Sequence, residues 1–153
     1  MTRINFYQTA ESANDALSVA CRLAEKAWLS GMDVLLYSED SDVAAAVGRQ
    51  LWHHSATSFL ASDHLATLPA NTTPATIGIC GNQDPGPYRG LLINLEMTAP
   101  PWFGRFEVLA EIIYPTGAAR AGKRQRYRYY KDRGYPLSFH DLTPKQMEPR
   151  QPQ

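Results

Sequence analysis

The chain has 153 residues, of which 44% are hydrophobic and 20% are charged, so one compact domain with a real core is expected. Fifteen basic and fifteen acidic residues give a formal net charge of zero, which argues against the broad positive surface of a general nucleic-acid binder. No stretch has the pattern of a signal peptide or approaches the roughly 20 apolar residues of a membrane span, so no membrane partner is expected. Cys21 and Cys80 lie far apart in sequence, which favours free thiols in a reducing cytoplasm.

The first elements in the chain predict a βαβ unit. Residues 3–7 alternate polar and apolar side chains, as a strand does. Residues 11–30 place apolar side chains every three or four positions, which predicts a helix that stops at Gly31. A short apolar run within residues 32–37 then predicts a buried strand, parallel to the first.

The next elements continue the same alternation. Residues 38–42 supply capping side chains and first-turn acids for a second helix, and we favour that role for these acids over a Mg²⁺ site. Apolar runs predict core strands at residues 75–80 and 91–95. Helical spacing of apolar residues predicts a third helix over residues 102–113, and a last helix is predicted over about residues 118–133.

Together these elements predict an α/β fold in three layers with a mostly parallel central sheet. We expect a single domain over residues 1–140. The Pro/Gln-rich residues 141–153 are predicted to form a disordered tail.

Catalytic and cofactor-binding patterns are weak in this sequence. The turn after the first strand has no glycine for a pyrophosphate, and no phosphate-binding loop occurs elsewhere. The adjacent His53 and His54 have poor geometry for a shared metal ion, and we interpret them as surface or capping residues. Asp63 and His64 resemble a base with its orienting carboxylate, but no recognisable nucleophile accompanies them. We therefore expect no cofactor, no metal and no catalytic site.

A basic and aromatic stripe is the strongest functional signal. Seven of the fifteen basic residues lie between residues 120 and 133 with three tyrosines, and Asp132 is the only acid there, so a segment of net +6 leaves −6 on the rest of the chain. Like charges at helical spacing repel each other, which suggests that a ligand or partner compensates them. An anion carrying an apolar group suits arginine beside tyrosine, and charge alone leaves both phosphate and carboxylate open. Helical geometry places one set of side chains on a common face: Arg120, Arg124, Tyr127, Arg128 and Lys131.

A second, weaker signal is a group of large apolar residues in an otherwise polar region. Leu51-Trp52 and Ser58-Phe59-Leu60 suit either core packing or an exposed docking patch.

The stripe and several shorter motifs together resemble a known family. Residues 124–137 read RQRYRYYKDRGYPL, which closely resembles the signature near the C-terminus of the chi subunit of bacterial DNA polymerase III. The segments AWLSG at residues 27–31 and VLLYSED at residues 34–40 agree, as do Leu51-Trp52, Ser58-Phe59-Leu60 and His64. The similarity covers about residues 3–137.

This resemblance implies a Rossmann-like fold and a non-catalytic, cytoplasmic accessory protein of the clamp-loader complex. Chi proteins connect the clamp loader, through the psi subunit, to single-stranded DNA-binding protein, whose acidic C-terminal tail ends in a phenylalanine carboxylate. Contact with DNA is then only indirect. In some members a helicase-like partner competes for the psi surface.

The family's site residues transfer to this sequence by motif matching. The pocket for the acidic tail would comprise Arg124, Tyr127 and Arg128, with Arg120 and Lys131 as flanking cations and Tyr114 on the apolar side. Psi docking would involve Trp52 and Phe59. The alternative is a direct single-stranded nucleic-acid binder that uses the basic helix, since bases also stack on aromatic rings beside cations.

Overall fold

The protein was analysed as a computed structural model, which describes residues 1–9, 13–54, 60–67, 75–81, 84–113 and 117–142. The described residues form three α-helices and seven strands. The helices are α1 (Ala13–Leu29), α2 (Ser41–His53) and α3 (Gly117–Asp132). The strands are β1 (Arg3–Gln8), β2 (Val34–Tyr37), β3 (Ser62–His64), β4 (Ile77–Cys80), β5 (Leu91–Asn94), β6 (Val108–Ile113) and β7 (Leu137–Asp141).

The seven strands form one sheet in the order β3-β4-β2-β5-β6-β1-β7, and every neighbouring pair is parallel. The connection from β1 through α1 to β2 runs toward the β3 edge, whereas the connection from β6 through α3 to β7 runs toward the opposite edge. Because such crossovers are right-handed, this reversal puts α3 on the face opposite α1. The predicted three-layer α/β fold is confirmed, with a sheet that is wholly parallel in the described residues.

Alternate residues of the strands supply the two cores. Val34 and Leu36 of β2 pack with α1 and α2, while the intervening Leu35 packs on the face that carries α3. Burial on both faces explains why the central strands are continuous apolar runs.

The helix ends follow the predicted chemistry. The Asp40 side chain caps α2, accepting hydrogen bonds from the backbone N–H groups of Asp42 and Val43 at 2.8 and 3.3 Å. Gly31 ends α1 with a φ of 88°, and Gly134 follows α3 with a φ of 82°. Glycine adopts this left-handed conformation without steric cost, so the chain can leave each helix sharply.

The predicted helix over residues 102–113 is wrong. A single 3-10 turn, Phe103–Arg105, is followed by β6, which pairs with β5 on one side and β1 on the other. All six residues of β6 are buried. A strand covered on both faces has no alternation of polar and apolar residues, and its apolar run fitted a helical spacing by coincidence.

Two further strands, β3 and β7, were not predicted, and they form the two edges of the sheet. The strand β7 reaches Asp141, and residues 143–153 of the predicted tail lie outside the described residues. In the described ranges, no helix combines the length and apolarity needed to cross a bilayer.

Both cysteines are free and buried, as predicted. Burial raises the pKa of the Cys21 and Cys80 thiols to about 12. Burial, followed by the nearby Asp63 carboxylate, raises the pKa of Tyr88 to about 12 as well. The Tyr88 hydroxyl lies against Gly78, where a Cβ atom would come within 2.6 Å of its oxygen, so only glycine fits there.

These raised pKa values predict a loss of stability at alkaline pH. The ordinary thiol pKa is 9.0 and the ordinary tyrosine pKa is 10.0, so above about pH 9 the unfolded chain releases protons that the folded protein retains. We expect the free energy of unfolding to be unaffected by these groups below that pH and to fall as the pH rises toward 12. Urea midpoints measured across this range would check it, and a midpoint that stays constant would contradict it. A variant with both Cys21→Ala and Cys80→Ala should show a shallower decline.

Candidate functional site: a cationic pocket beside helix α3

The basic stripe lies on α3, which confirms the predicted last helix. Because α3 connects two parallel strands, it runs antiparallel to them, with its N-terminal half near the carboxyl ends of β6 and β1. Its inner side is anchored by Tyr130, which is fully buried, and by Lys123, which is 2% exposed. On the other side of the helix, Arg124, Arg128 and Lys131 are exposed.

The inner side of α3 is hydrogen-bonded to the buried carboxylate of Glu111. Tyr130 donates its hydroxyl hydrogen bond to Oε2 of Glu111 at 2.5 Å, and Lys123 donates to Oε1. Asn94 on β5 donates to the same Oε1 at 2.8 Å. Lys123 also donates to the carbonyl of Glu96 at 2.6 Å. Burial, and then the Glu111 carboxylate, raises the pKa of Tyr130 far above its ordinary value, so it stays a donor.

This network was missed at the sequence level. Lys123 was counted as one cation of the stripe, but its ammonium group is neutralised by Glu111, and both side chains are buried. The signal that could have revealed it is the single acid inside the apolar run of β6, since a buried carboxylate requires a cationic or hydrogen-bonding partner.

A cavity of about 420 Å³ opens between α3 and the ends of the strands. Its cationic side carries Arg120 and Arg124, and its apolar side carries Tyr127 and residues of three strands. The lining residues are Phe6, Gln8, Ile113, Arg120, Lys123, Arg124, Tyr127 and Phe139. The cavity lies outside the carboxyl ends of β1 and β6, where ligands of parallel α/β sheets commonly bind.

The apolar wall of the cavity is packed at Tyr127 and exposed at Phe139. The ring of Tyr127 packs against Phe6 with centroids 5.3 Å apart, which fixes the orientation of Tyr127. Phe139 on β7 is 51% exposed, an unusual position for a large apolar side chain at the mouth of a cavity. Neither Phe6 nor Phe139 was predicted from the sequence as part of this site.

The cations of the pocket have unused hydrogen-bonding capacity. The Nε of Arg120 is buried and has no hydrogen-bond partner among the described residues. In the same part of the chain, no carboxylate forms an ion pair with Arg120 or Arg124, nor with Arg128 or Lys131. The pocket therefore offers guanidinium donors that an anionic ligand can take up.

The predicted tail-binding residues are thus only partly brought together. Arg120, Arg124 and Tyr127 line one cavity, whereas Arg128 and Lys131 are exposed farther along α3 and do not line it. Tyr114 lies outside the described residues.

The other two arginines of the stripe are held by aromatic rings. The guanidinium of Arg126 lies 4.2 Å from the ring centroid of Tyr129, and that of Arg133 lies 3.9 Å from the same ring. These cation–π contacts hold both guanidinium groups on the Tyr129 ring, and neither arginine lines the pocket.

The predicted psi-docking region lies at the opposite edge of the sheet. Trp52, at the end of α2, is 47% exposed, whereas the adjacent Leu51 is fully buried. Trp52 borders a cavity of about 480 Å³ between α2 and the edge strand β3. Leu60 closes its floor and is buried, and Phe59 lies outside the described residues.

The structure places the histidine and acidic candidates in separate environments. His54 pairs with Glu25 at 3.0 Å, which agrees with a capping or surface role. The Asp63 carboxylate accepts a hydrogen bond from the backbone N–H of Ala75 at 2.6 Å, and neighbouring strand residues such as Asp63 and His64 face opposite sides of the sheet. Within the described ranges, no group of three or more His, Cys, Asp or Glu residues could hold a metal ion.

Comparisons with known proteins agree with the resemblance seen in the sequence. A family model described as DNA polymerase III chi subunit, HolC, matches residues 1–138. The chain is 36% identical over 143 residues to the DNA polymerase III subunit chi of Pseudomonas aeruginosa, covering 93% of this chain and 98% of that protein. It is 28% identical over 124 residues to the subunit chi of Haemophilus influenzae, covering 81% of this chain and 85% of that protein.

A solved structure supports the fold alone. T4 UvsW aligns with a TM-score of 0.63 at 6% sequence identity, covering 93% of this chain but 42% of the UvsW chain. At so low an identity, the likeness concerns the α/β architecture and not the activity.

The Glu111 network predicts a large stability difference between two lysines of one helix. Lys123→Met removes the cation and leaves the Glu111 carboxylate buried without it, which should lower the free energy of unfolding by about 3–5 kcal/mol. The control Lys131→Met changes an exposed lysine on the same helix and should leave stability unchanged. Urea denaturation followed by circular dichroism measures both. Equal stability of the two variants would contradict the assigned role of Lys123.

Proposed function

The chain belongs to the DNA polymerase III chi subunit family, and from that premise we propose that it is a non-catalytic adaptor of the polymerase complex. In this proposal one surface binds the acidic C-terminal tail of single-stranded DNA-binding protein, and a second surface binds the psi subunit of the clamp loader. The protein would act in the cytoplasm, at the replisome, and would contact DNA only through these partners.

The combination of charge and apolar surface in the pocket beside α3 carries the first half of this proposal. A peptide that ends in phenylalanine presents an aromatic ring and a terminal carboxylate only a few ångströms apart. The pocket presents apolar side chains, Phe6 and Phe139, across from the guanidinium groups of Arg120 and Arg124. Charge-assisted hydrogen bonds from guanidinium to carboxylate are stronger than neutral ones and are geometrically specific.

Long-range electrostatics supports the same ligand. The stripe carries net +6 and the rest of the chain −6, so an acidic peptide is attracted to α3 and repelled elsewhere. A long nucleic-acid strand would instead meet repulsion once it left the helix. Arg128 and Lys131 remain exposed and available for the acidic residues that precede the terminal phenylalanine.

The surface at the β3 edge supports the second part of the proposal, the binding of psi. An exposed tryptophan beside a cavity of about 480 Å³ is the kind of anchor that concentrates binding energy in protein interfaces. Arg49 and His64 add polar groups to the rim of this cavity. A helicase-like protein that used the same surface would compete with psi and not with the acidic tail.

The pocket assignment predicts a graded effect of arginine substitutions. Arg124→Ala should weaken binding of the acidic peptide by about 1–3 kcal/mol, because it removes a charge-assisted hydrogen bond at the cavity. Arg133→Ala is the matched control, since Arg133 lies on Tyr129 and away from the pocket. Fluorescence anisotropy of a labelled peptide measures both.

The same titrations include a peptide without its terminal phenylalanine and an oligo-dT strand. Loss of binding with the truncated peptide supports the pocket. Binding of oligo-dT in place of the acidic peptide would instead indicate the nucleic-acid alternative, and equal peptide affinity of Arg124→Ala and wild type would refute the pocket assignment.

The second surface predicts an independent effect. Trp52→Ala should weaken psi binding by about 2 kcal/mol or more while leaving the affinity for the acidic peptide unchanged, because the two surfaces lie at opposite edges of the sheet. Co-purification with psi, combined with the peptide titration, measures the two effects separately. Loss of both activities would show that the two surfaces are not independent.

A further inference from the structure

We propose that the acidic peptide continues beyond the pocket as an additional strand on the open edge of β7. This inference rests on the proposed function and extends it from a pocket for the terminal residue to a binding mode for the residues before it. The partner is an extended acidic peptide, and the new contact is made by the backbone of β7.

Hydrogen bonds to β1 establish which backbone groups of β7 face outward. The N–H of Ile4 donates to the carbonyl of Pro136, and the N–H of Leu142 donates to the carbonyl of Gln8, both at 2.9 Å. In a parallel strand, alternate residues direct both backbone groups to the same neighbour. The backbone groups that point toward β1 are therefore those of residues 136, 138, 140 and 142. Leu137 and Phe139 direct their N–H and C=O groups away from β1.

In the described part of the chain, β7 has a neighbouring strand on one side only. An unpaired edge of this kind is a template for an incoming peptide, and sheet proteins usually protect it. The two positions with outward backbone groups, Leu137 and Phe139, are neither lysine nor proline. Most of the strand is exposed.

Phe139 connects this edge to the pocket. Its side chain lines the cavity together with Arg120 and Arg124, while its backbone faces the open edge. The neighbouring His140 lies on the other face of the sheet, where its ring stacks on Tyr7 at a centroid distance of 4.7 Å. A peptide whose last residue occupies the cavity is thus already beside the outward backbone groups of β7.

The charges of α3 give the peptide a direction. Arg124 lines the cavity, and Arg128 and Lys131 follow it at helical spacing toward the C-terminal end of α3. Since α3 runs antiparallel to β7, these cations accompany the strand from the cavity toward Leu137. Acidic residues upstream of the peptide's terminus would lie between this row of cations and the edge of β7, parallel to it.

The test compares two substitutions at one position. Phe139→Ala removes the aromatic wall, whereas Phe139→Pro removes both the aromatic wall and the outward N–H. Proline is tolerated at edge positions where the N–H faces solvent, so the strand can persist. We expect Phe139→Pro to bind the labelled acidic peptide about 3- to 10-fold more weakly than Phe139→Ala, because one backbone hydrogen bond is lost.

Amide hydrogen exchange of the wild-type protein tests the proposal without a substitution. The Phe139 and Leu137 amides should exchange rapidly in the free protein and become protected when the peptide binds. Unchanged exchange on peptide binding, or equal affinities of folded Phe139→Ala and Phe139→Pro, would overturn the added strand and leave the pocket intact. Protection already present in the free protein would overturn it too, since the chain itself would then cover the edge. Absence of any peptide binding by wild type would refute the proposed function and this inference with it.

Discussion

The position of α3 depends on one buried carboxylate. Glu111 lies in the middle of the sheet with no exposed surface, and it is stabilised there by a lysine and a tyrosine of α3 and by an asparagine of β5. Each of these donors would cost free energy if left unpaired, so the helix has little freedom to shift or rotate. The cationic pocket depends on this fixed position of the helix, in which Lys123 is neutralised by Glu111 while Arg120 and Arg124 line the cavity.

The sequence was sufficient for most of the architecture and for the location of the stripe. The βαβ start, the capped α2 and the basic helix follow from local patterns of charge, apolar spacing and glycine. The strand β6 was not predicted, because a strand buried on both faces lacks the alternation of polar and apolar residues that identifies a strand in a sequence. The short edge strands β3 and β7 carry polar residues and leave no apolar run.

The composition of the pocket shows the limit of reasoning from spacing. Helical spacing placed several cations of α3 on one face, but which of them reach the pocket depends on contacts that spacing alone does not give. Lys123 forms an ion pair with Glu111 of β6, and Arg126 packs on the ring of Tyr129 in its own helix. Arg120 and Arg124 line the cavity instead. Its apolar side comes from Phe6 and Phe139, whose proximity depends on the pairing of β1 with β7.

That pairing has a consequence for the synthesis of the protein on the ribosome. Phe6 belongs to the first strand of the chain and Phe139 to the seventh, and they are partners in adjacent strands. The pocket between them cannot form until nearly the whole domain has emerged, because β7 adds to β1 only after α3 has crossed the sheet. Contacts between residues so distant in sequence form late and slowly during folding. A nascent or truncated chain would therefore lack this pocket even with the basic helix already present, so the capacity to bind through it would arise only once the domain is complete.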